Sequence, residues 1–213
     1  MKKSAYKRAL CALFSAFLVL TMVFPGEVAL AASAPGNVAR FSMTGCSAST
    51  VSLSWNKVKG ASGYRIRRYD SKSKKWKTVL TATKGSAIKG TVKKLSPATT
   101  YKLQIHAYKK AGKKTLYSKK AKTLTVATKP AKVTLQSVKA NGAKITVSWK
   151  KSAASGYQVI YARNKQFKNG ESILVGGSNK TTTYYAPYSG TYYVHLRPYK
   201  NLNGKKYYGS WSN

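Results

Sequence analysis

Seven side chains hold all the carboxylate, thiol and imidazole chemistry of this 213-residue chain: Glu27, Asp70 and Glu171, Cys11 and Cys46, His106 and His195. Each reaction class that such groups support asks for a spacing that is missing. Glycoside hydrolysis wants two carboxyl groups a few ångström apart, and Asp70 and Glu171 lie in different halves of the chain. A thiol nucleophile wants a base beside it, so Cys46 would have to meet His106 or His195. A metal ion wants several His, Cys or carboxylate ligands converging on one point, and two histidines in separate halves do not supply them. No glycine-rich phosphate loop leads into a helix. The sequence therefore reads as a non-enzyme with no cofactor and no metal.

Positive charge is what the chain has in abundance, with Lys+Arg 40 against Asp+Glu 3 and a formal net charge of +37. A hydrophobic content of 43% is ample for a core, so the charge does not signal disorder. Some of it belongs to an N-terminus that reads as a secretory signal. Lys2, Lys3, Lys7 and Arg8 precede an apolar run from Ala9 to Phe24, then the breakers Pro25 and Gly26, then Ala29-Leu30-Ala31 as a small-residue cleavage site. The expectation is a signal peptide over 1–31, cleavage before Ala32, and a secreted, surface-associated protein with no stable membrane span afterwards. An uncleaved anchor is the alternative, because the apolar run approaches the length of a span.

That segment takes with it four of the 40 basic residues and one of the 3 acidic ones, leaving 36 against 2 and a net charge near +34. Arginine supplies six of these, Arg40, Arg65, Arg67, Arg68, Arg163 and Arg197. The excess is lysine, a hydrated point charge that favours diffuse attraction to polyanions over bidentate recognition. Cys11 falls in the signal, so Cys46 has no partner for a disulfide and reads as a small side chain near a turn.

The elements that carry this charge are strands. In Leu95–Tyr108, Pro97 makes a turn, after which Tyr101, Leu103, Ile105 and Ala107 alternate with Lys102, Gln104 and His106. That period of two belongs to a half-buried strand. The chain also repeats itself, with four blocks recurring in one order. Thr50–Trp55 matches Lys144–Trp149, and Gly63–Ile66 matches Gly156–Val159. Thr100–Ile105 matches Thr191–Leu196, and Gly112 with Tyr117 matches Gly204 with Tyr208. One inner layer is expected from Val51, Leu53, Trp55, Tyr64, Ile66, Leu103 and Ile105. The other is expected from Ile145, Val147, Trp149, Tyr157, Val159, Val194 and Leu196.

Leu95, the turn at Pro97 and Tyr101 leading into the strand resemble the tyrosine corner of immunoglobulin-like and fibronectin type III sandwiches. Each half resembles a bacterial fibronectin type III module through its opening proline, Trp55 or Trp149, the Gly-Tyr pair, and Tyr101 or Tyr192. The resemblance implies an all-β chain: two tandem Ig-like, seven-strand sandwiches after the signal peptide, over 35–128 and 130–213. Strands are implied near Val38–Thr44, Thr50–Trp55, Gly63–Tyr69, Trp76–Val79, Lys89–Lys94, Thr100–Tyr108 and Tyr117–Val126. The second module lacks the corner leucine, and its last strand is expected to be truncated, leaving part of an edge exposed.

Binding surfaces follow from the alternation. The outer face of the first module should present Arg65, Arg67, Tyr69, Lys102 and His106, and that of the second Ile160, Tyr193, His195 and Arg197. Lys109, Lys110, Lys113 and Lys114 are expected in one hairpin loop, with Lys200, Lys205 and Lys206 in the other. His106 and His195 read as solvated, and the exposed aromatics Tyr69, Trp76, Tyr193 and Trp211 as scattered. The expected function is non-catalytic binding, adhesion or spacing. Expected partners are anionic polymers such as cell-wall polyphosphate and acidic polysaccharide, or acidic surface proteins. Nonspecific nucleic-acid binding is an alternative, as is an accessory role beside a carbohydrate-active or surface complex.

Overall fold

The structure, a computed structural model, describes residues 32–213. The expected signal peptide lies outside the described residues. Every regular element within them is a strand, and no helix long and apolar enough to cross a membrane occurs among them.

The first sandwich packs a sheet of β1 (Phe41–Cys46), β2 (Val51–Trp55) and β5 (Lys89–Val92), in the order β1-β2-β5, against a second sheet. The second sheet runs β4 (Lys75–Ala82), β3 (Gly63–Asp70), β6 (Thr100–Ala111) and β7 (Lys114–Tyr117), with β8 (Lys122–Ala127) also paired to β6. All pairings are antiparallel. The expected last strand of this module is thus two pieces on one edge. The break falls at Ser118, whose N–H reaches Ala107 O at 2.9 Å, while the Lys120 N–H is drawn to Asn37 Oδ1 at 2.8 Å.

The second sandwich repeats the plan. Its three-stranded sheet is β9 (Leu135–Asn141), β10 (Lys144–Trp149) and β13 (Thr181–Tyr185), in the order β13-β10-β9. Its four-stranded sheet is β12 (Glu171–Gly176), β11 (Gly156–Ala162), β14 (Tyr193–Leu202) and β15 (Lys205–Tyr208). β15 is as short as β7, and no counterpart of β8 follows it among the described residues. The edge of β14 is nonetheless partly covered: the Gly209 N–H bonds Pro198 O at 2.9 Å, and the Ser212 N–H bonds Leu196 O at 2.7 Å.

Alternation places the cores where period two requires. Val51, Leu53 and Trp55 are buried with half-buried serines between them, as are Ile145, Val147 and Trp149 across Thr146 and Ser148. Both expected inner layers form, with Val194 packed against its cluster while only partly buried. The two Trp-Tyr pins are near copies. Trp55 meets Tyr64 at 5.5 Å and 54°, and Trp149 meets Tyr157 at 5.1 Å and 58°. The phenols are anchored in both cases, since Tyr64 Oη accepts the Val58 N–H at 2.8 Å and Tyr157 Oη accepts the Ser152 N–H at 3.0 Å.

The Gly-Tyr pair has a packing reason. A Cβ on Gly63 would collide with Ala82 O and the Tyr108 ring, and one on Gly156 with Tyr199 and Val175 O. Glycine is what lets a neighbouring strand's tyrosine lie flat across the backbone there.

Candidate binding surfaces on the outer sheet faces

On the first outer face, β3 presents Arg65 and Arg67 opposite His106 and Gln104 of β6. They are not free in solvent. Tyr117, at the end of β7, receives both guanidiniums, with Arg65 Cζ 4.9 Å and Arg67 Cζ 5.8 Å from its ring centroid. A tyrosine face attracts such cations through its quadrupole, and the planar guanidinium can lie on it. His106 corrects its expected solvation. It is half-buried, its Nδ1 lies 3.0 Å from Ser118 O, and its ring is edge-on to Tyr117 at 6.3 Å. Gln104, on the polar side of the alternation, is buried beneath this cluster of long side chains.

On the second outer face the same strands build a longer stack. Arg197 of β14 sits between Tyr208 at 3.9 Å and Trp211 at 4.2 Å, and its Nε donates to Gln158 Oε1 at 2.8 Å. His195 lies between Phe167 at 3.9 Å and 14° and Trp211 at 5.7 Å and 23°. The order is therefore Phe167, His195, Trp211, Arg197, Tyr208. His195 is accordingly stacked rather than solvated, and burial first, then the charge of Lys132, pushes its imidazolium pKa down. Burial also pulls Arg197 below its ordinary value. Three of the four aromatics expected to be scattered are paired: Trp211 joins this ladder, and Tyr69 meets Trp76 edge-on at 5.3 Å.

The lysines stand differently from the expected loops. Lys109 and Lys110 belong to β6 and pair with Leu116 and Thr115, and Lys114 opens β7. Lys200 lies in β14, and Lys205 and Lys206 lie in β15. The hairpin loops shrink to Gly112-Lys113 and Asn203-Gly204. Gly112 carries a positive φ in the first, and both residues do in the second, as tight two-residue hairpins demand. Lys102 remains on the outer face of β6, opposite Thr125 of β8. Tyr193 stands at the start of β14 with Lys165 Nζ 6.0 Å from its ring, and Ile160 pairs with His195.

Three members of these clusters were absent from the expected sites. Tyr117 and Tyr208 had a readable signal, because they occupy the same place in the repeat. Phe167 had none, since it arrives from the β11–β12 connection in a left-handed conformation, φ 56°. Cys46 ends β1, half-buried, with burial pushing its thiol pKa up, and no group of three His, Cys, Asp or Glu that could hold a metal occurs among the described residues.

The fibronectin type III domain model matches residues 33–123. Residues 33–123 are a fibronectin type III domain. Apart from β8, the second sandwich carries the same strand order as the first. Among solved structures, a two fibronectin type III domain segment from chicken tenascin is similar at 20% identity, covering 83% of this chain and 98% of that one, with a TM-score of 0.47. The FN1–FN3 domains of chicken CNTN1 are similar at 20% identity, covering 84% of this chain and 63% of that one, with a TM-score of 0.40. No curated protein matches the chain. Fibronectin type III domains commonly serve as binding, adhesion or spacer modules on a fold that is typically non-catalytic.

Proposed function

We propose that this is an exported, non-catalytic, surface-associated protein that holds acidic polymers, cell-wall polyphosphate or acidic polysaccharide, through its lysine surface. One observation carries this reading: Asp70 with Lys77 is the single ion pair among the described residues. Nearly all of the lysines therefore face solvent with almost no internal counter-charge. A surface of one sign draws polyanions and concentrates them along itself. The stacks on Tyr117 and Arg197 keep the arginines ordered, while the lysines of β6, β7, β14 and β15 remain outward donors.

Retention of residues 32–213 on acidic glycan, purified cell wall and duplex DNA across a salt series tests the reading. Counterion release predicts that retention falls steeply with log salt, with a slope near −0.9 per phosphate neutralised on duplex DNA. A protein that passes through all three at low salt would overturn it.

A further inference from the structure

At one end of the first sandwich, where β3 finishes and β6 begins, a cleft of about 680 Å³ opens, within the range of sites that hold small ligands. Arg68 stands on its wall. Alternation puts this residue on the inward row of β3, opposite Leu103, yet it lies so near the end of the sandwich that it stays half-exposed. Its guanidinium carbon lies 5.4 Å from the centre of the Tyr101 ring. Tyr101 is itself fixed, its Oη accepting the Ser96 N–H at 2.8 Å. Lys72, Lys102, Thr100 and Thr125 line the same space.

A single carboxylate reaches this cleft, Asp70, and it is already engaged. Lys77 pairs with it and the Lys72 N–H donates to it at 3.1 Å, contacts that hold its carboxyl well below the usual carboxylate range. No carboxylate pairs with Arg68 among the described residues. The second sandwich shows that the fold does not require this arrangement. Counted from the Gly-Tyr pair, the counterpart of Arg68 is Tyr161, which is fully buried and stacked on Tyr184 at 4.4 Å and 16°. The same inward position is thus core in one module and a cationic wall in the other.

We propose that this cleft binds a uronate residue of an acidic glycan, with Arg68 taking the carboxylate and Lys72 and Lys102 flanking it. The planar guanidinium matches a carboxylate in a two-bond fork, which lysine cannot do. The threonine hydroxyls meet the ring hydroxyls of the sugar. A nucleobase finds a poorer site, because one face of Tyr101 is capped by Arg68 and Tyr69 at the rim is engaged with Trp76, whereas strand binding relies on open aromatic faces. This assignment rests on the polyanion reading above and gives it a specific subsite.

The test is a titration of residues 32–213 with tetragalacturonate, a neutral glucose tetrasaccharide and a single-stranded oligonucleotide of equal charge, followed by amide chemical shifts. At about 0.3 M salt, where long-range attraction is screened, tetragalacturonate is expected to bind and to shift Thr100, Tyr101 and Thr125. Arg68→Lys keeps the charge and is expected to weaken that binding about tenfold, and Lys102→Gln is expected to weaken it as well. Arg40→Lys, away from the cleft, serves as the matched control, and unchanged melting midpoints exclude misfolding. Equal binding by Arg68→Lys and the parent chain would overturn the subsite, as would equal shifts of the same amides by the oligonucleotide. Loss of all polyanion binding even at low salt would instead remove the general reading, and the subsite with it.

Discussion

Leu95 and Ala186 occupy the same bend of the two sandwiches, and the difference between them separates what this fold needs from what it tolerates. The backbone bond is kept in both: the Leu95 N–H reaches Ser49 O at 2.9 Å and the Ala186 N–H reaches Ala143 O at 2.8 Å. The side-chain plug is not kept. Leu95 is buried in its core, and the phenol of Tyr101 ties the bend down through Ser96. At Ala186 the space stays open as a groove of about 580 Å³, lined by Val138, Ile145, Pro187 and the exposed Tyr188. Tyr192, the counterpart of Tyr101, packs on Tyr184 at 6.0 Å. The Trp-Tyr pins and strand pairing hold each sandwich, and the corner adds rigidity to the first alone.

The pins are the feature the modules share, so breaking them should give the largest effect and the smallest difference. Trp149→Ala and Trp55→Ala are each expected to cost ~3–5 kcal/mol, read from denaturant unfolding. A melting midpoint unmoved in either variant would contradict its place in the core. The corner should separate the modules. Leu95→Ala is expected to cost ~2–4 kcal/mol and to raise hydrogen exchange in the first sandwich. Ala186→Leu, which fills an existing groove, should stabilise the second by about 1 kcal/mol; a loss of stability there would show that the groove is not shaped for a plug.

A finer cut is the corner hydrogen bond. Tyr101→Phe removes the acceptor of the Ser96 N–H and should cost about 1 kcal/mol, while Tyr192→Phe should be nearly silent in the same unfolding assay. The smallest expected effect is a pH slope confined to the second sandwich. Burial and Lys132 lower the folded pKa of His195, so the unfolded chain takes up its proton first as pH falls. Stability is therefore full above the ordinary histidine value and declines as pH drops below it toward the folded value. Unfolding midpoints at about pH 7.5 and 5.5 measure this, and His195→Gln should flatten the slope. An equal slope in the parent and this variant would assign the effect elsewhere.

Strand placement was legible because period-two alternation is a property of the extended backbone itself. Val51, Leu53 and Trp55 had to share a face once they were in a strand. The repeat made the pins legible twice. The edges were less so: a run from Tyr117 to Val126 does not reveal that Ser118 turns back to Ala107, since that depends on Asn37 holding Lys120 from far along the chain. The outer-face arginines were found, but not what covers them. The ladder around Arg197 draws Phe167 from a connection, Trp211 from the tail and Tyr208 from another strand, and no local pattern joins the three.

The chain's own order of residues determined that residues 35–213 would be built of strands, doubled, held by two Trp-Tyr pins and overwhelmingly cationic, because these follow from alternation, repetition and counting. Tertiary structure alone decided which cations remain available. Arg68 and Tyr161 sit at one inward position of the repeat, yet one is a wall open to solvent and the other is core. Burial at the end of a sandwich depends on which side chains arrive opposite. Here that is Tyr101 held at its corner in one case and the stacked ring of Tyr184 in the other.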